Sequence, residues 1–373
     1  PICVNGWMEV EVDGQVRRIG ITRAHLEEDT GKLLHVDGRS LIDFNRAGVP
    51  LLEIVTEADI RSAAEASAYL TKLRQLLRYL GVSSGDMEKG AMRCEANVSV
   101  RPVGSTEFGT KVEIKNLNSF RAVRMALEYE IARQIEVLEA GGEIRQVTMG
   151  WDETHNRTVV QRSKEFAHDY RYFPEPDLLP LEISREWVDQ LCASLPELPD
   201  AKRERFIRDY GLTAQEAATL VEEKEIASYY EALVAVYQGS ARAAASWVTG
   251  ELFRLMHATG IPIEGVKVTP EALADLLRLI DQGTINANTG KQVLDEMFET
   301  GRSAAAIVEA RGLAQVSDAE ALAVIIAQIL EDNPDEVARY RGGKKTLLGW
   351  FMGQVMKRTR GKANPAIVRQ LLQ

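Results

Sequence analysis

The sequence predicts an α+β fold: a mostly antiparallel sheet domain over residues 1–195, an all-α helical domain over 196–302, and an α-helical basic tail over 303–373. Three observations predict it. Period-two alternation of apolar and polar residues, the mark of a half-buried strand, is confined almost entirely to the first half of the chain. After "SLPELPD" (194–200) that alternation gives way to alanine-rich stretches of helical period. The order of the early elements, β-β-α-β-β, makes hairpins with helices on one face of a sheet and leaves the other face free to be a site.

The elements follow in order. "WMEVEVDGQVRRIGIT" reads as a hairpin about Asp13-Gly14, a strong two-residue turn signal. "LIDFNRAGVPLLEIV" gives two short extended runs broken by Gly48 and Pro50. A helix over 61–80 carries Leu70, Leu73, Leu77 and Leu80 on one stripe and is ended by Gly81. In "MRCEANVSVRP", Ala96, Val98 and Val100 face a core while Glu95, Asn97, Ser99 and Arg101 face away. A loop with Gly104 and Gly109 leads into "KVEIKNLNSF" (111–120), where Val112 and Ile114 oppose Lys111, Glu113 and Lys115. Phe120, Val123, Leu127, Ile131 and Leu138 mark a long amphipathic helix ended by Gly141-Gly142, and "IRQVTMGW" with "RTVVQRS" makes another hairpin. Downstream, Thr213 with Glu216 and Ser317 with Glu320 have capping-box spacing, and Thr269-Pro270-Glu271 starts a helix. In the tail, Leu347, Trp350, Phe351 and Val355 form a core stripe, "KRTRGK" a loop, and Asn364-Pro365 the next helix start.

Composition narrows the class. At 373 residues, 45% hydrophobic and 27% charged, the chain has the make-up of a globular protein of two to three domains. No stretch approaches the roughly 20 apolar residues of a membrane helix, so no membrane role is expected. Cys3, Cys94 and Cys192 lie far apart without CxxC spacing, which fits a reducing, cytosolic compartment. The chain starts at Pro1 inside a strand pattern and reads as a fragment of a longer polypeptide. Net charge is −10, yet residues 337–373 hold nine Lys/Arg and no Asp/Glu. A basic end on an acidic body suggests a local polyanion contact.

Chemistry is concentrated in a few stretches. "HLEEDTGK" (25–32) puts three carboxylates in a row before a glycine; it is equally a solvated turn unless acids from elsewhere join it. Glu95 and Glu113, on the polar faces of successive strands, are the natural partners of such acids for Mg²⁺. Side by side those strands present Glu95, Asn97, Ser99, Arg101, Lys111, Glu113 and Lys115, which is either a cross-strand-paired solvated face or the floor of a site. The continuation into Asn116, Asn118 and Ser119 at a helix start, where free N–H groups favour phosphate, points to a nucleotide floor. Neither a Walker P-loop nor a Rossmann fingerprint occurs. "DYRYFPEPDLLP" (169–180) is a stiff segment carrying Arg171, Glu175 and Asp177. The five histidines show no metal-ligand spacing, and no nucleophile-elbow motif is present. The tail cations, clustered without acids and with few aromatics, suit backbone recognition of a folded RNA.

"HLEEDTGK", "DFNRAGVPLLEIVTE", "MRCEANVSVRP", "KVEIKNLNSF", "DYRYFPEPDLLP" and "GKANP" follow one another in the order found in the GatB family of aspartyl/glutamyl-tRNA amidotransferase subunits, which the chain resembles over essentially its whole length. The resemblance implies a cradle domain with a glutamine-synthetase-like fold, a helical domain and a basic tRNA-binding tail. It implies ATP- and Mg²⁺-dependent phosphorylation of the side-chain carboxylate of Glu-tRNA(Gln) or Asp-tRNA(Asn), then amidation. The ammonia comes from glutamine through a glutaminase A subunit, and a small C subunit holds the two together. The mischarged tRNA is the substrate, and the matching aminoacyl-tRNA synthetase is a further candidate partner. By motif position Glu27 and Glu95 are first choices for metal ligands, with Glu28 and Glu113 behind them. Lys111, Lys115 and Arg171 are candidates for phosphate, and Asn97, Asn116 and Asn118 for nucleotide or substrate polar groups. Asn45 and Arg46 would line the same cavity, and Lys344, Lys345, Lys357, Arg358, Arg360 and Lys362 would meet tRNA. The family also has an upstream segment with more metal-site residues and a zinc-type cysteine cluster. Zn²⁺ belongs to that segment alone, and without it the site is expected to be incomplete. A small-molecule carboxylate-amine ligase and a non-catalytic tRNA scaffold are the competing readings; the basic tail disfavours the first, and dispensable acids with indispensable tail cations would mark the second.

Overall fold

The computed structural model describes residues 1–163, 179–314, 319–359, 361 and 363–373. They fall into two compact units, Pro1–Pro196 and Glu197–Gln373.

In the first unit β1 (Cys3–Val12) and β2 (Gln15–Glu28) pair antiparallel through the predicted turn, with Asp13 and Gly14 both in the left-handed region at φ 52° and 73°. That is the backbone a two-residue hairpin needs, and Asp-Gly adopts it at little cost. A separate hairpin, β3 (Lys32–Val36) with β4 (Arg39–Asp43), follows, and β5 (Pro50–Thr56) returns to pair antiparallel with β2. The first sheet therefore has the order β1-β2-β5.

Helix α1 (Ala63–Tyr79) starts where the Ser62 hydroxyl accepts from the Glu65 N–H, and Gly81 stops it at φ 69°. Its buried face is Ala63, Ala66, Tyr69, Leu70 and Tyr79; Leu80, expected on the apolar stripe, is the C-cap and lies exposed. The second sheet has the order β6 (Cys94–Val98), β7 (Val112–Leu117), β8 (Val147–Asp152), β9 (Arg157–Ser163). Its outer pairs are antiparallel, but β7 and β8 run parallel, because α2 (Phe120–Glu139) is long enough to carry the chain back over the sheet between them.

One core joins both sheets to both helices. Val112, Ile114, Met149 and Trp151 meet Ala122, Val123, Ala126 and Leu127 of α2, with Met8, Val10 and Ile19 from the first sheet in the same cluster. Leu138, predicted on the buried stripe, sits in the last turn of α2 and is exposed. The fully buried Glu130 of α2 is satisfied by Arg133, by Gln134 at 3.0 Å and by the Thr158 hydroxyl of β9 at 2.9 Å. On the other face of the second sheet Glu95 and Asn97 are exposed, Glu113 and Lys115 are half-buried, and Thr148 and Gly150 of β8 are buried.

After α3 (Arg185–Ser194) the second unit begins. Helices α4 (Pro199–Tyr210), α5 (Ala214–Val221), α6 (Lys224–Tyr237), α7 (Ala241–Ser246), α8 (Phe253–Thr259), α9 (Pro270–Asp281), α10 (Ala287–Thr300) and α11 (Ala304–Arg311) share one hydrophobic cluster. A π-helical turn, Trp247–Leu252, joins α7 to α8. The Thr213–Glu216 box is formed in both directions, and Thr269 caps α9 with Pro270 in its first turn. Ser317 lies outside the described residues. A second, smaller cluster around Leu322, Ile326, Phe351, Val355 and Val368 holds α12 (Ala319–Asp332), α13 (Pro334–Arg341), α14 (Leu347–Arg358) and α15 (Pro365–Leu372). Trp350, expected in that core, is instead exposed with its ring edge-on to Phe351 at 5.2 Å. Among the described residues no helix is long and apolar enough to cross a membrane.

Candidate functional site

The polar face of the second sheet is built by a register change. Alternation along β7 buries Val112 and Ile114 and then skips, because Asn116 takes a left-handed backbone at φ 62°. Cys94 pairs with Leu117 and Ala96 with Ile114, so the single residue Glu95 faces the two residues Lys115 and Asn116. This is a β-bulge, and it lets Lys115 and Asn116 both lie on that side while Leu117 returns to the core. The pattern that stops alternating in the sequence is therefore a device that puts an extra polar residue on the floor.

Lys115 is the hub of that floor. Its Nζ lies 2.7 Å from Glu95 Oε1 and 3.8 Å from Glu113 Oε1. Glu113 is well covered, with 15% of its side chain exposed against 51% for Glu95. Its other oxygen, Oε2, accepts a 2.7 Å hydrogen bond from the Thr148 hydroxyl on β8. Asn97 pairs with Glu113 across the strands and shares this face. Lys111 is exposed just before β7, and Asn118 is exposed at the entry to α2, where Ser119 caps the Ala122 N–H at 3.0 Å. Gly150 of β8 lies beside Lys115 in register, with the Gln161 side chain close against it where a Cβ would stand. Thr148, Gly150 and Gln161 carry no motif signal; the parallel register of β7 and β8 brings the first two here, and the antiparallel β8–β9 pairing brings Gln161.

A second cluster lies on the first sheet. His25, Glu27 and Glu53 offer ligand atoms within 4.8 Å of one another, the one such group among the described residues. His25 and Glu27 share a face of β2 by alternation, and His25 is in register with Glu53 of β5. Sequence spacing had shown no histidine in a ligand set; the H-x-E step along a strand was the available signal, but its third member comes from the neighbouring strand. Glu28 points to the opposite face from Glu27, so adjacency in sequence separates the two carboxylates. Neither Glu95 nor Glu113 is in this group; the structure brings them together with Lys115 instead.

Asp29, the third acid of "HLEEDTGK", holds both Arg46 Nε and Arg93 NH2 at 3.0 Å, tying the segment after β2 to the one that enters β6. Arg46 also donates to the Gly90 carbonyl at 3.3 Å, and the Asn45 amide bonds Asp43, so these two residues brace the loops. Burial, then the neighbouring Glu95 charge, pushes the Cys94 thiol up to about 11, which keeps it protonated and a poor nucleophile. In the tail, Lys344, Lys345 and Lys357 are exposed, and Arg358 pairs with Asp332 at 2.9 Å. Arg171, Arg360 and Lys362 lie outside the described residues.

A sheet face bearing acids around a lysine, with a carboxylate–imidazole cluster on the other sheet, defines a class of site that works by charge and position. Residues 1–189 match the GatB/GatE catalytic domain and residues 228–373 the GatB domain. The chain is 53% identical over 376 residues to the B subunit of the aspartyl/glutamyl-tRNA(Asn/Gln) amidotransferase of Moorella thermoacetica, covering 100% of this chain and 79% of that protein. It is 52% identical over 377 residues to the protein of the same name from Carboxydothermus hydrogenoformans, covering 100% and 78% respectively. The chain belongs to the GatB family of aspartyl/glutamyl-tRNA amidotransferase subunits.

Proposed function

We propose that this chain activates the side-chain carboxylate of Glu-tRNA(Gln), of Asp-tRNA(Asn), or of both, with ATP, and directs its amidation by ammonia from a glutaminase A subunit, with a C subunit holding the assembly together. The observation that carries this reading is the Lys115 ammonium held between Glu95 and Glu113 on that floor.

The chemistry asks for charge control. A carboxylate is a poor acyl donor because oxide would have to leave. When its oxygen attacks the γ-phosphorus of ATP, the bond to ADP breaks and an acyl phosphate forms. Ammonia then adds to the carbonyl carbon, inorganic phosphate leaves, and the nitrogen gives up a proton to yield the amide. Negative charge gathers on the transferred phosphoryl group, where Lys115, with Lys111 and the amides of Asn97, Asn116 and Asn118 around it, offers positive charge and hydrogen bonds.

Two carboxylates with an adjacent imidazole suit a divalent cation, whereas Glu95 and Glu113 share the Lys115 ammonium between them. Mg²⁺ held at Glu27 and Glu53 beside His25 would neutralise phosphate charge when bound. The exposed cations Lys344, Lys345 and Lys357 support docking of the tRNA body at the tail.

The test is transfer of label from γ-labelled ATP to Glu-tRNA(Gln) and Asp-tRNA(Asn), using the full-length protein in complex with its A and C partners. Labelled acyl phosphate, converted to amide only when glutamine or ammonia is added, is the expected result. Tight tRNA binding without ATP turnover would contradict it and leave a docking scaffold.

A further inference from the structure

We propose that Thr148 is the positioning residue of this floor: it fixes the Glu113 carboxylate and, through it, the Lys115 ammonium. The inference rests on the carboxylate-activation reading and names a residue that no motif marks.

Thr148 is 1% exposed, so its hydroxyl has no water to turn to and must be spent inside the protein. Its partner is Glu113 Oε2 at 2.7 Å, across the parallel register that sets Thr148 opposite Glu113. A hydroxyl donating to one oxygen fixes the plane of the carboxylate and leaves Oε1 turned toward Lys115 Nζ, 3.8 Å away. The ammonium also hydrogen-bonds Glu95 Oε1 at 2.7 Å, from a side chain half in solvent. Glu95 accepts the ammonium's hydrogen bond and Glu113 makes the longer ionic contact, but Glu113 is the carboxylate whose other oxygen is bonded by a buried hydroxyl. The backbone there is tuned as well: β9 carries a bulge opposite Thr148–Met149, where Thr148 pairs with Arg162 and Met149 with Val160.

The test uses the full-length protein in its complex. Thr148→Val removes the hydroxyl at nearly constant volume, and Thr148→Ser keeps it. Thr148→Val is expected to lower kcat for acyl-phosphate formation about 10- to 100-fold with the KM for aminoacyl-tRNA unchanged, while Thr148→Ser stays within about threefold of wild type. In a Lys115→Met background, Thr148→Val is expected to cause no further loss, because the group it positions is gone. Circular dichroism and the unfolding midpoint of each variant separate loss of function from loss of fold. A Thr148→Val enzyme as fast as wild type would overturn the inference, as would Thr148→Ser failing like Thr148→Val while folded. So would full additivity with Lys115→Met. If the wild-type complex forms no acyl phosphate at all, it is the activation reading that fails, which distinguishes the two.

Discussion

At Asn116 a single backbone angle decides what the floor can present. Its φ of 62° is tolerated by asparagine and glycine, but a β-branched side chain meets its own carbonyl there. Asn116→Gly is therefore expected to change stability by only a few tenths of a kcal/mol, and Asn116→Val to cost roughly 1–2 kcal/mol, read from urea midpoints. The sequence showed Asn116 as a polar residue near a helix start; that it is a bulge was illegible, because bulges depend on the partner strand's register. The candidate metal-ligand group follows the same rule. Glu27 stands in an acidic motif, while Glu53 is a lone acid in the apolar run "PLLEIV" and joins the group only because β5 lies against β2. Glu27→Gln and Glu53→Gln should each weaken Mn²⁺ binding at least tenfold by titration calorimetry, whereas Glu28→Gln, on the other face, should leave it unchanged.

The elements themselves were largely legible, because hairpin turns, caps and helix-ending glycines are local signals. The Asp13-Gly14 turn, the Ser119 helix start and the Thr213–Glu216 box sit where residue chemistry puts them. What local signals missed were element ends, such as exposed Leu80 and Leu138, and the parallel pairing of β7 with β8, which arises from tertiary packing of α2. Charge networks between elements were equally invisible. Glu197, ahead of α4, receives hydrogen bonds from Arg205 at 2.8 Å and lies 3.0 Å from Lys202, and both cations also reach Glu231 of α6. The hydrogen bond from Arg205, then that from Lys202, pulls the Glu197 carboxyl from 4.5 down to about 2. A depressed acid stabilises the fold fully above its unfolded value and loses that contribution as pH falls through its folded value. Stability of the helical unit is thus expected to decline between about pH 4.5 and 2 on this account. With the pair partly in solvent, the contribution is on the order of 1 kcal/mol, and Glu197→Gln should flatten that stretch of the urea-midpoint profile.

Across the whole molecule the described residues fall into units with their own cores, and the proposed function assigns chemistry to the first and tRNA contact to the tail. α11 seats Ala304, Ile307 and Val308 in the core of the larger helical cluster, so the tail's separate core begins at α12. Ending the chain after Leu313 should leave that larger core intact, keep basal ATP hydrolysis, and lower tRNA affinity at least tenfold with a shallower salt dependence in filter binding. The central claim, though, concerns the first unit: the wet face of β6 and β7 is the floor of the activation site. Its most direct measurement is hydroxylamine trapping of the acyl phosphate formed by the full-length complex carrying Lys115→Met. The account predicts that trapped product falls by roughly 10²–10³-fold while tRNA binding and the unfolding midpoint stay at wild-type values. Wild-type levels of trapped product would contradict it and make that face ordinary solvated surface.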